Sequence, residues 1–297
     1  MQPEAKSLRE YLAPLGVPLL IIADDPQLLA TAVAAYAEWR SAIALDPVLE
    51  LRLGLGTTAS NDVSCRITVE GSRLTLTGAA FSGRADALIK SAVLTVPPAL
   101  VGQPGALAEL TDTLLLFLLA RSGRAPVHAA GILVGETALI LAGPSGSGKS
   151  SLALEAMNRG LGVLSDDTVY VQTDPQLAVW GLPRPIHVFP ENAPPGEHST
   201  RLRGDRLKAA VARDATAAPL VAHDARMILL ERGGDLALAT IPPDEATASL
   251  GHLEPGFDLL PDESAIAARA LVAAGAWRLT LGGDPGAAIA LLCTRFG

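Results

Sequence analysis

The chain has 297 residues, of which 49% are hydrophobic and 18% charged, so it is long enough for one large or two modest globular domains. Its formal net charge of −8 argues against broad nucleic-acid binding, because that function requires a basic surface. Cys65 and Cys293 lack metal-ligand spacing and indicate a reducing compartment. The most apolar stretch, residues 114–120, is too short to span a bilayer, and the N-terminus does not resemble a signal peptide. We therefore expect a cytoplasmic protein that binds neither nucleic acid nor membrane.

Residues 1–104 predict a small α/β domain. The expected elements are, in order, a helix over 7–15, a strand over 17–23, a helix over 27–40, a strand over 49–55 and a hairpin across Gly71-Ser72. The adjacent carboxylates Asp24 and Asp25 could form a metal pair, but a turn that caps the following helix is the favoured interpretation. No residue of this domain has catalytic spacing, and the domain is a candidate for substrate selection.

Residues 105–297 predict a second domain, which opens with a strongly apolar helix over 106–121. We expect this helix to pack between the two halves of the chain or in the interface of a homo-oligomer. A strand over 127–134, which contains His128, follows it and pairs in a hairpin with the next apolar run, 138–142.

The stretch after that hairpin matches the phosphate-binding pattern of Gly, four residues, Gly-Lys-Ser. The candidate nucleotide-binding residues are Gly143, Pro144, Ser145, Gly146, Ser147, Gly148, Lys149, Ser150 and Ser151. A strand that feeds a glycine loop and then a helix points backbone N–H groups at an anion, and the helix N-terminus adds partial positive charge. Lys149 would lie against the β- and γ-phosphates and Ser150 would bind Mg²⁺, so we expect ATP and Mg²⁺ as ligands. The alternative is a turn that is rich in glycine for packing reasons alone.

Asp166 and Asp167 follow a predicted short strand, 162–165, that comes after the loop helix. In a parallel βαβ unit this strand would end at the same sheet edge as the loop, so one carboxylate could accept a proton while the other holds Mg²⁺. The alternative is that Ser165-Asp166 merely turns the chain. For His128, a catalytic role and a hydrogen-bonded core histidine remain equally open.

Two further groups of residues are candidates for a role at the site. Glu231 resembles the acidic end of a Walker-B strand, but the runs 226–231 and 236–241 predict a hairpin across Gly233-Gly234 that would put Glu231 at a sheet edge. The arginines within 201–213 could reach phosphate or an acidic acceptor, or form a solvated loop.

The motifs of the second domain resemble the HPr kinase/phosphorylase superfamily. The residues that carry this resemblance are Val127-His128-Ala129-Ala130-Gly131, the loop 143–150, Leu154-Glu155, Arg159-Gly160 and Leu164-Ser165-Asp166-Asp167. The resemblance implies a P-loop kinase domain of the HPr-kinase type that transfers phosphate from ATP, with Mg²⁺, to a serine hydroxyl. It also implies Asp166 as general base, Asp167 as its partner or metal contact, and His128 and Lys149 at the active site.

The Glu-x-Arg-Gly signature of true HPr kinases is absent, and Trp180-Gly181-Leu182-Pro183 stands roughly in its place. The chain looks more similar to HPr-kinase-like proteins encoded beside peptide-maturation genes, some of which resemble kinases for the C-terminal serine of a lasso-peptide precursor. The expected partner is therefore a serine-containing peptide or protein. The alternatives are an HPr-type phosphocarrier, free serine or another metabolite, or ATP-dependent peptide binding without phosphotransfer.

Overall fold

A computed structural model describes residues 7–40, 46–57, 64–182, 184–196, 198–203, 206–213, 220–250 and 261–297. The chain divides into two compact units, residues 1–122 and 123–297. The division comes after residue 122 and not at the predicted 104, because the helix over 104–120 packs within the first unit. No helix in the described ranges combines the length and the apolar character needed to cross a membrane.

The N-terminal unit is a sheet that carries helices. Its strands are β1 (Leu8–Leu12), β2 (Leu19–Ala23), β3 (Leu49–Leu55), β4 (Cys65–Glu70), β5 (Arg73–Gly78), β6 (Ser82–Asp86) and β7 (Ser91–Val96), and its helices are α1 (Pro26–Ala34) and α2 (Pro104–Ala120). Within the described residues the sheet has seven strands in the order β1-β2-β3-β7-β6-β5-β4. β2, β3 and β7 run parallel, and the remaining pairs are antiparallel. The predicted hairpin across Gly71-Ser72 is confirmed as β4 and β5.

One prediction for this unit was wrong. Residues 7–15 contain a strand and no α-helix, because β2 is buried along its whole length and β1 satisfies the backbone groups of its outer edge. The helix α2 packs against α1, β6 and β7 of its own unit. The capping interpretation of Asp25 is confirmed, because its Oδ1 accepts a hydrogen bond of 2.7 Å from the Leu28 N–H at the start of α1.

The C-terminal unit has more elements. Its strands are β8 (Ala125–Val127), β9 (Ala129–Val134), β10 (Thr137–Ala142), β11 (Val163–Ser165), β12 (Val169–Gln172), β13 (Ala178–Trp180), β14 (Ile186–Val188), β15 (Ser199–Arg203), β16 (Arg206–Val211), β17 (Val221–Ala222), β18 (Asp224–Arg232), β19 (Ala237–Ile241) and β20 (Ala276–Leu281). Its helices are α3 (Lys149–Asn158), α4 (Pro243–Leu250), α5 (Pro261–Ala273) and α6 (Pro285–Phe296). The described residues form a main sheet in the order β11-β9-β10-β18-β20-β19, a second sheet β17-β13-β12-β8 and a third sheet β14-β16-β15.

The main sheet brings several strand ends to one edge. β9 is antiparallel to both of its neighbours, β10 and β11, so these two strands run parallel to each other on either side of it. β18 is parallel to β10, and β20 is parallel to β18. The carboxyl ends of β10, β11, β18 and β20 therefore lie at the same edge of the sheet. The predicted hairpin of β9 and β10 and the predicted strand before Asp166 are confirmed.

The predicted hairpin across Gly233-Gly234 was wrong. β20 lies between β18 and β19 and pairs with both strands. β18 is almost entirely buried from Ala225 to Leu230, and such a strand needs a partner on each side, whereas the more exposed β19 suits the edge.

Both faces of the main sheet, which has two parallel and three antiparallel strand pairs, are covered. Alternate side chains of β10 point to opposite faces: Ala138, Ile140 and Ala142 pack with α4, α5 and the second sheet. Leu139 and Leu141 pack with α3 and α6. The mixed α/β architecture predicted from the sequence is confirmed, and the core of this unit holds the carboxyl edge of the sheet in place.

Candidate functional site

The glycine loop leaves the carboxyl end of β10 and enters α3. A side chain at Gly143 would put its Cβ 2.8 Å from Ser147 Oγ and 3.1 Å from the Leu230 carbonyl oxygen, so the loop closes tightly on itself. Gly148, at φ 113°, precedes the first helical residue and no side chain caps α3 there. The first N–H groups of α3 consequently have no side-chain acceptor, which is the arrangement that binds anions.

The polar side-chain atoms of Lys149 and Ser147 point towards the inside of this loop. Lys149 is buried, and its Nζ donates hydrogen bonds to the carbonyl oxygens of Gly143 at 2.6 Å and Pro144 at 3.2 Å. Ser147 Oγ is also buried and has no hydrogen-bond partner among the described residues. A buried hydroxyl without a partner is costly, so this one fits a cradle whose acceptor is a bound oxyanion. Ser150 and Ser151 are half-buried in the first turn of α3.

His128 and Asp167 each lie where the chain leaves one sheet and enters the other, and these two crossing points are adjacent. His128 lies between β8 of the second sheet and β9 of the main sheet, and Asp167 lies between β11 of the main sheet and β12 of the second sheet. Because β8 pairs with β12 and β9 pairs with β11, the two passages run side by side. They put His128 Nδ1 3.6 Å from Asp167 Oδ1.

The adjacent aspartates have different surroundings. The Asp166 carboxylate is buried, and its Oδ2 accepts a hydrogen bond of 2.8 Å from the His187 N–H at β14. The Asp167 side chain is 46% exposed, whereas its partner His128 is 11% exposed. Ser165 Oγ accepts hydrogen bonds from the N–H groups of Asp167 and Thr168 and so fixes the turn between the two strands. Asp167 is thus the carboxylate that a ligand can reach.

A half-buried arginine and a glycine fix the strand that carries these aspartates. The Arg213 guanidinium donates to the carbonyl oxygens of Leu164 at 3.1 Å and Leu182 at 3.2 Å, and also to that of Val163. Gly181 lies against the Leu164 backbone so closely that an added Cβ would be 2.1 Å from the Leu164 oxygen. The end of β11 is therefore set by contacts from remote parts of the chain.

A cavity of about 540 Å³ opens beside the loop at the carboxyl edge of the sheet. Loop residues 143–147 line it, together with His128, Leu250, and Glu231 and Arg232 at the end of β18. Since β18 is the direct neighbour of β10, Glu231 lies beside the phosphate loop and not on the edge hairpin predicted for it. Arg278 Nε lies 3.3 Å from Glu231 Oε2, and its guanidinium also pairs with Glu245.

Sequence reasoning missed Arg232 and Arg278, which both line the cavity. The signal for Arg232 was the end of the apolar run in β18, followed by Gly233-Gly234. Because that run was interpreted as half of a hairpin, its end was not placed beside the loop. Arg278 has no local signal, since only the parallel pairing of β18 and β20 brings it to this position, opposite Leu229.

The predicted magnesium ligands are Ser150 and Asp167. Among the described residues, no three or more His, Cys, Asp or Glu side chains gather in a way that could hold a metal ion. The Ser150 hydroxyl at the head of α3 and the accessible Asp167 carboxylate are hard oxygen donors, and Mg²⁺ commonly takes one or two such protein ligands along with phosphate oxygens and water. The residues present therefore fit Mg²⁺ that arrives with a nucleotide.

No family model matches the chain, and no curated protein matches it. Among solved structures, the Hpr(Ser) kinase/phosphatase from Coxiella burnetii is similar to 57% of this chain over 93% of its own length, with 11% identity and a TM-score of 0.30. A similarity at this level carries no argument about fold or function, so both rest on the residues described above.

Proposed function

We propose that the C-terminal unit is an ATP- and Mg²⁺-dependent kinase of the HPr-kinase type that phosphorylates a serine hydroxyl of a peptide or protein. One observation carries the proposal: the phosphate loop and the His128–Asp167 pair both lie at the carboxyl edge of the main sheet. A phosphate cradle alone fits any nucleotide-binding protein, whereas a cradle with an accessible carboxylate–histidine pair fits phosphoryl transfer to a hydroxyl.

The loop residues would bind the phosphates of ATP. The N–H groups of 146–151 and the Ser147 hydroxyl donate hydrogen bonds to phosphate oxygens, and Lys149 exchanges the Gly143 and Pro144 carbonyls for the β- and γ-phosphates. The Ser150 hydroxyl would hold Mg²⁺, whose positive charge stabilises the phosphates. Glu231, paired with Arg278, supplies a further carboxylate at the edge of this site.

In this proposal Asp167 is the general base and Asp166 supports it. The family resemblance implied the opposite assignment, with Asp166 as the base. Asp167 is accessible and accepts the proton of the serine hydroxyl as that oxygen bonds to the γ-phosphorus and ADP leaves. His128 lies beside this carboxylate, with Nδ1 3.6 Å from Asp167 Oδ1. Asp166 is buried and bonded to the His187 N–H, so it positions the turn that carries Asp167.

The test is to incubate the full chain with MgATP and serine-containing peptides, including one with a C-terminal serine of the lasso-precursor type, and to measure intact mass. A kinase adds about 80 Da to the peptide, and a matched peptide with alanine in place of that serine stays unmodified. A peptide that binds only with ATP yet gains no mass would show a binding module instead. ADP release with free serine, without peptide modification, would show a metabolite kinase.

Asparagine variants distinguish the roles of the two aspartates. We expect Asp167→Asn to lose phosphotransfer by about 100-fold or more, because the proton acceptor is removed. MgATP affinity should fall much less, because the loop, Lys149 and Ser150 still hold the phosphates and Mg²⁺. We expect Asp166→Asn to lower the melting temperature as well, because a buried acceptor is altered. Full transfer by Asp167→Asn together with loss of transfer by a stable Asp166→Asn would restore the roles implied by the resemblance.

A further inference from the structure

A second cavity, of about 510 Å³, borders the opposite end of the phosphate loop. Its lining comes from the first turns of α3, the end of β18 and the junction of β20 with α6, and includes Ser151, Leu152, Asn158, Leu281 and Pro285. In the described structure, the first cavity meets the loop at residues 143–147, while the second meets it at Gly148 and Ser151. The loop therefore runs from one cavity to the other.

The positions of His128 and Asp167 determine which end of a bound nucleotide lies at which end of the loop. His128 lines the first cavity, and Asp167 lies 3.6 Å from it, so the γ-phosphate must end there if the proposed function holds. The triphosphate follows the loop amides towards α3, which brings the α-phosphate to the first turn of the helix. The nucleoside attached to that phosphate then leaves the loop on the side of Ser151.

The second cavity has the chemistry that a nucleoside requires. Leu152, Leu281 and Pro285 offer apolar surface to a base, and Asn158 and Asn192 carry amide groups that can both donate and accept hydrogen bonds. Its volume lies within the range of about 300–1,000 Å³ that is usual for small-molecule pockets. The carboxylates of Glu155 and Asp284 also line this cavity; the first pairs with Arg159 and the second accepts a hydrogen bond from the Gly286 N–H at the start of α6.

Arg232 stands where the two cavities meet and lines both of them. Its guanidinium would be 3.9 Å from a Cβ added at Gly148, the residue before α3. It forms no ion pair with any described residue, in contrast to Arg278 with its two glutamates. A cation beside the N-terminal end of a helix is favoured when an anion lies between them, so this position suits a contact with a phosphate chain.

We propose that the second cavity binds the nucleoside of the nucleotide and that Arg232 contacts the phosphates where the two cavities join. The inference rests on the proposed function, because it takes the transferred phosphate to lie in the first cavity. It assigns the cavity at α3 and α6 to an adenosine-type ligand and leaves the first cavity to the acceptor hydroxyl.

The experiment compares MgATP with magnesium tripolyphosphate, which has the phosphates and no nucleoside, by calorimetric titration of the full chain. Asn158→Trp fills the second cavity from an exposed position, and Ala290→Trp on the exposed face of α6 is the matched control. We expect Asn158→Trp to lose ATP affinity by about tenfold or more and to keep tripolyphosphate affinity, and the control to keep both. Arg232→Ala should weaken both ligands.

An Asn158→Trp variant that binds ATP as tightly as the wild type would overturn the nucleoside site and leave the kinase proposal standing. A wild-type protein that binds neither ligand would refute both proposals. A photoreactive azido-ATP gives a second readout that needs no variant. Labelled peptides that contain residues 151–158 or 281–285 support the assignment, and labels confined to 229–231 and 249–250 contradict it.

Discussion

Gly181 offers a sharp test of how the aspartate-bearing strand is held. In Gly181→Ala, the new Cβ would lie 2.1 Å from the oxygen, 2.5 Å from the carbonyl carbon and 2.7 Å from the Cα of Leu164. Non-bonded heavy atoms prefer separations of about 3.5–4.0 Å, so the backbones must separate by about 1 Å. Overpacking costs about 1–3 kcal/mol, and we expect the upper end because backbone atoms cannot rotate away.

That cost corresponds to a fall in melting temperature of about 6–12 °C for a unit of this size. The displacement moves the Leu164 carbonyl away from Arg213 and shifts Asp167, so phosphotransfer should fall more than ATP affinity does. Calorimetry and the peptide phosphorylation assay measure the two effects. Gly54→Ala is the control, because its Cβ would meet nothing closer than Thr95 Oγ1 at 3.9 Å. A Gly181→Ala protein with wild-type stability and activity would refute the steric argument.

Three other substitutions test separate contacts. Lys149→Met should reduce ATP affinity by about tenfold or more in a calorimetric titration, because a charge-assisted contact to phosphate is lost, and unchanged affinity would exclude Lys149 from the site. Asp25→Ala should cost about 1 kcal/mol in urea unfolding because α1 loses its cap, whereas Asp25→Asn should keep most of that stability. The hydrogen bond from Arg73 holds the pKa of Asp86 below its ordinary value, so its stabilisation is present above about pH 4 and is lost as the pH falls further. Asp86→Asn should therefore melt below the wild type at pH 7, and the difference should shrink as the pH falls below about 4; a constant difference would contradict the assignment.

The sequence predicted correctly those parts of the fold whose structure is decided by residues close together in the chain. The strand, loop and helix around residues 138–158 follow from an apolar run, glycines and helix-forming residues that are contiguous in the chain. The hairpin of β9 and β10 has its turn, Gly135-Glu136, between two apolar runs. In each case the interactions that decide the structure lie within about 20 residues of one another.

The errors arose where a distant segment decides the structure. Residues 8–12 are a strand because the edge of β2 lies beside them, which no local pattern reveals. β18 and β19 look like a hairpin across Gly233-Gly234, but β20 arrives from more than 30 residues later and takes the place between them. A turn signal fixes the direction of the chain and leaves open which strand pairs with which.

The candidate site shows the same division between local and remote causes. The loop residues could be named from the sequence because their spacing is the signal. The difference between Asp166 and Asp167 could not, because the buried position of Asp166 depends on a backbone N–H of His187 in another sheet. Arg232 was missed for the same reason, since its place beside Gly148 depends on the parallel pairing of β10 and β18.

If the proposed function holds, the two points where the chain crosses between sheets, at His128 and Asp167, make phosphotransfer depend on the completion of folding. The phosphate loop needs only β10, α3 and their neighbours in the main sheet, whereas the His128–Asp167 pair needs the second sheet as well, through the pairing of β8 with β12. A chain in which only the main sheet has formed would hold a nucleotide and could not transfer its phosphate. An immature or damaged molecule would then be a harmless nucleotide binder and not an unselective kinase.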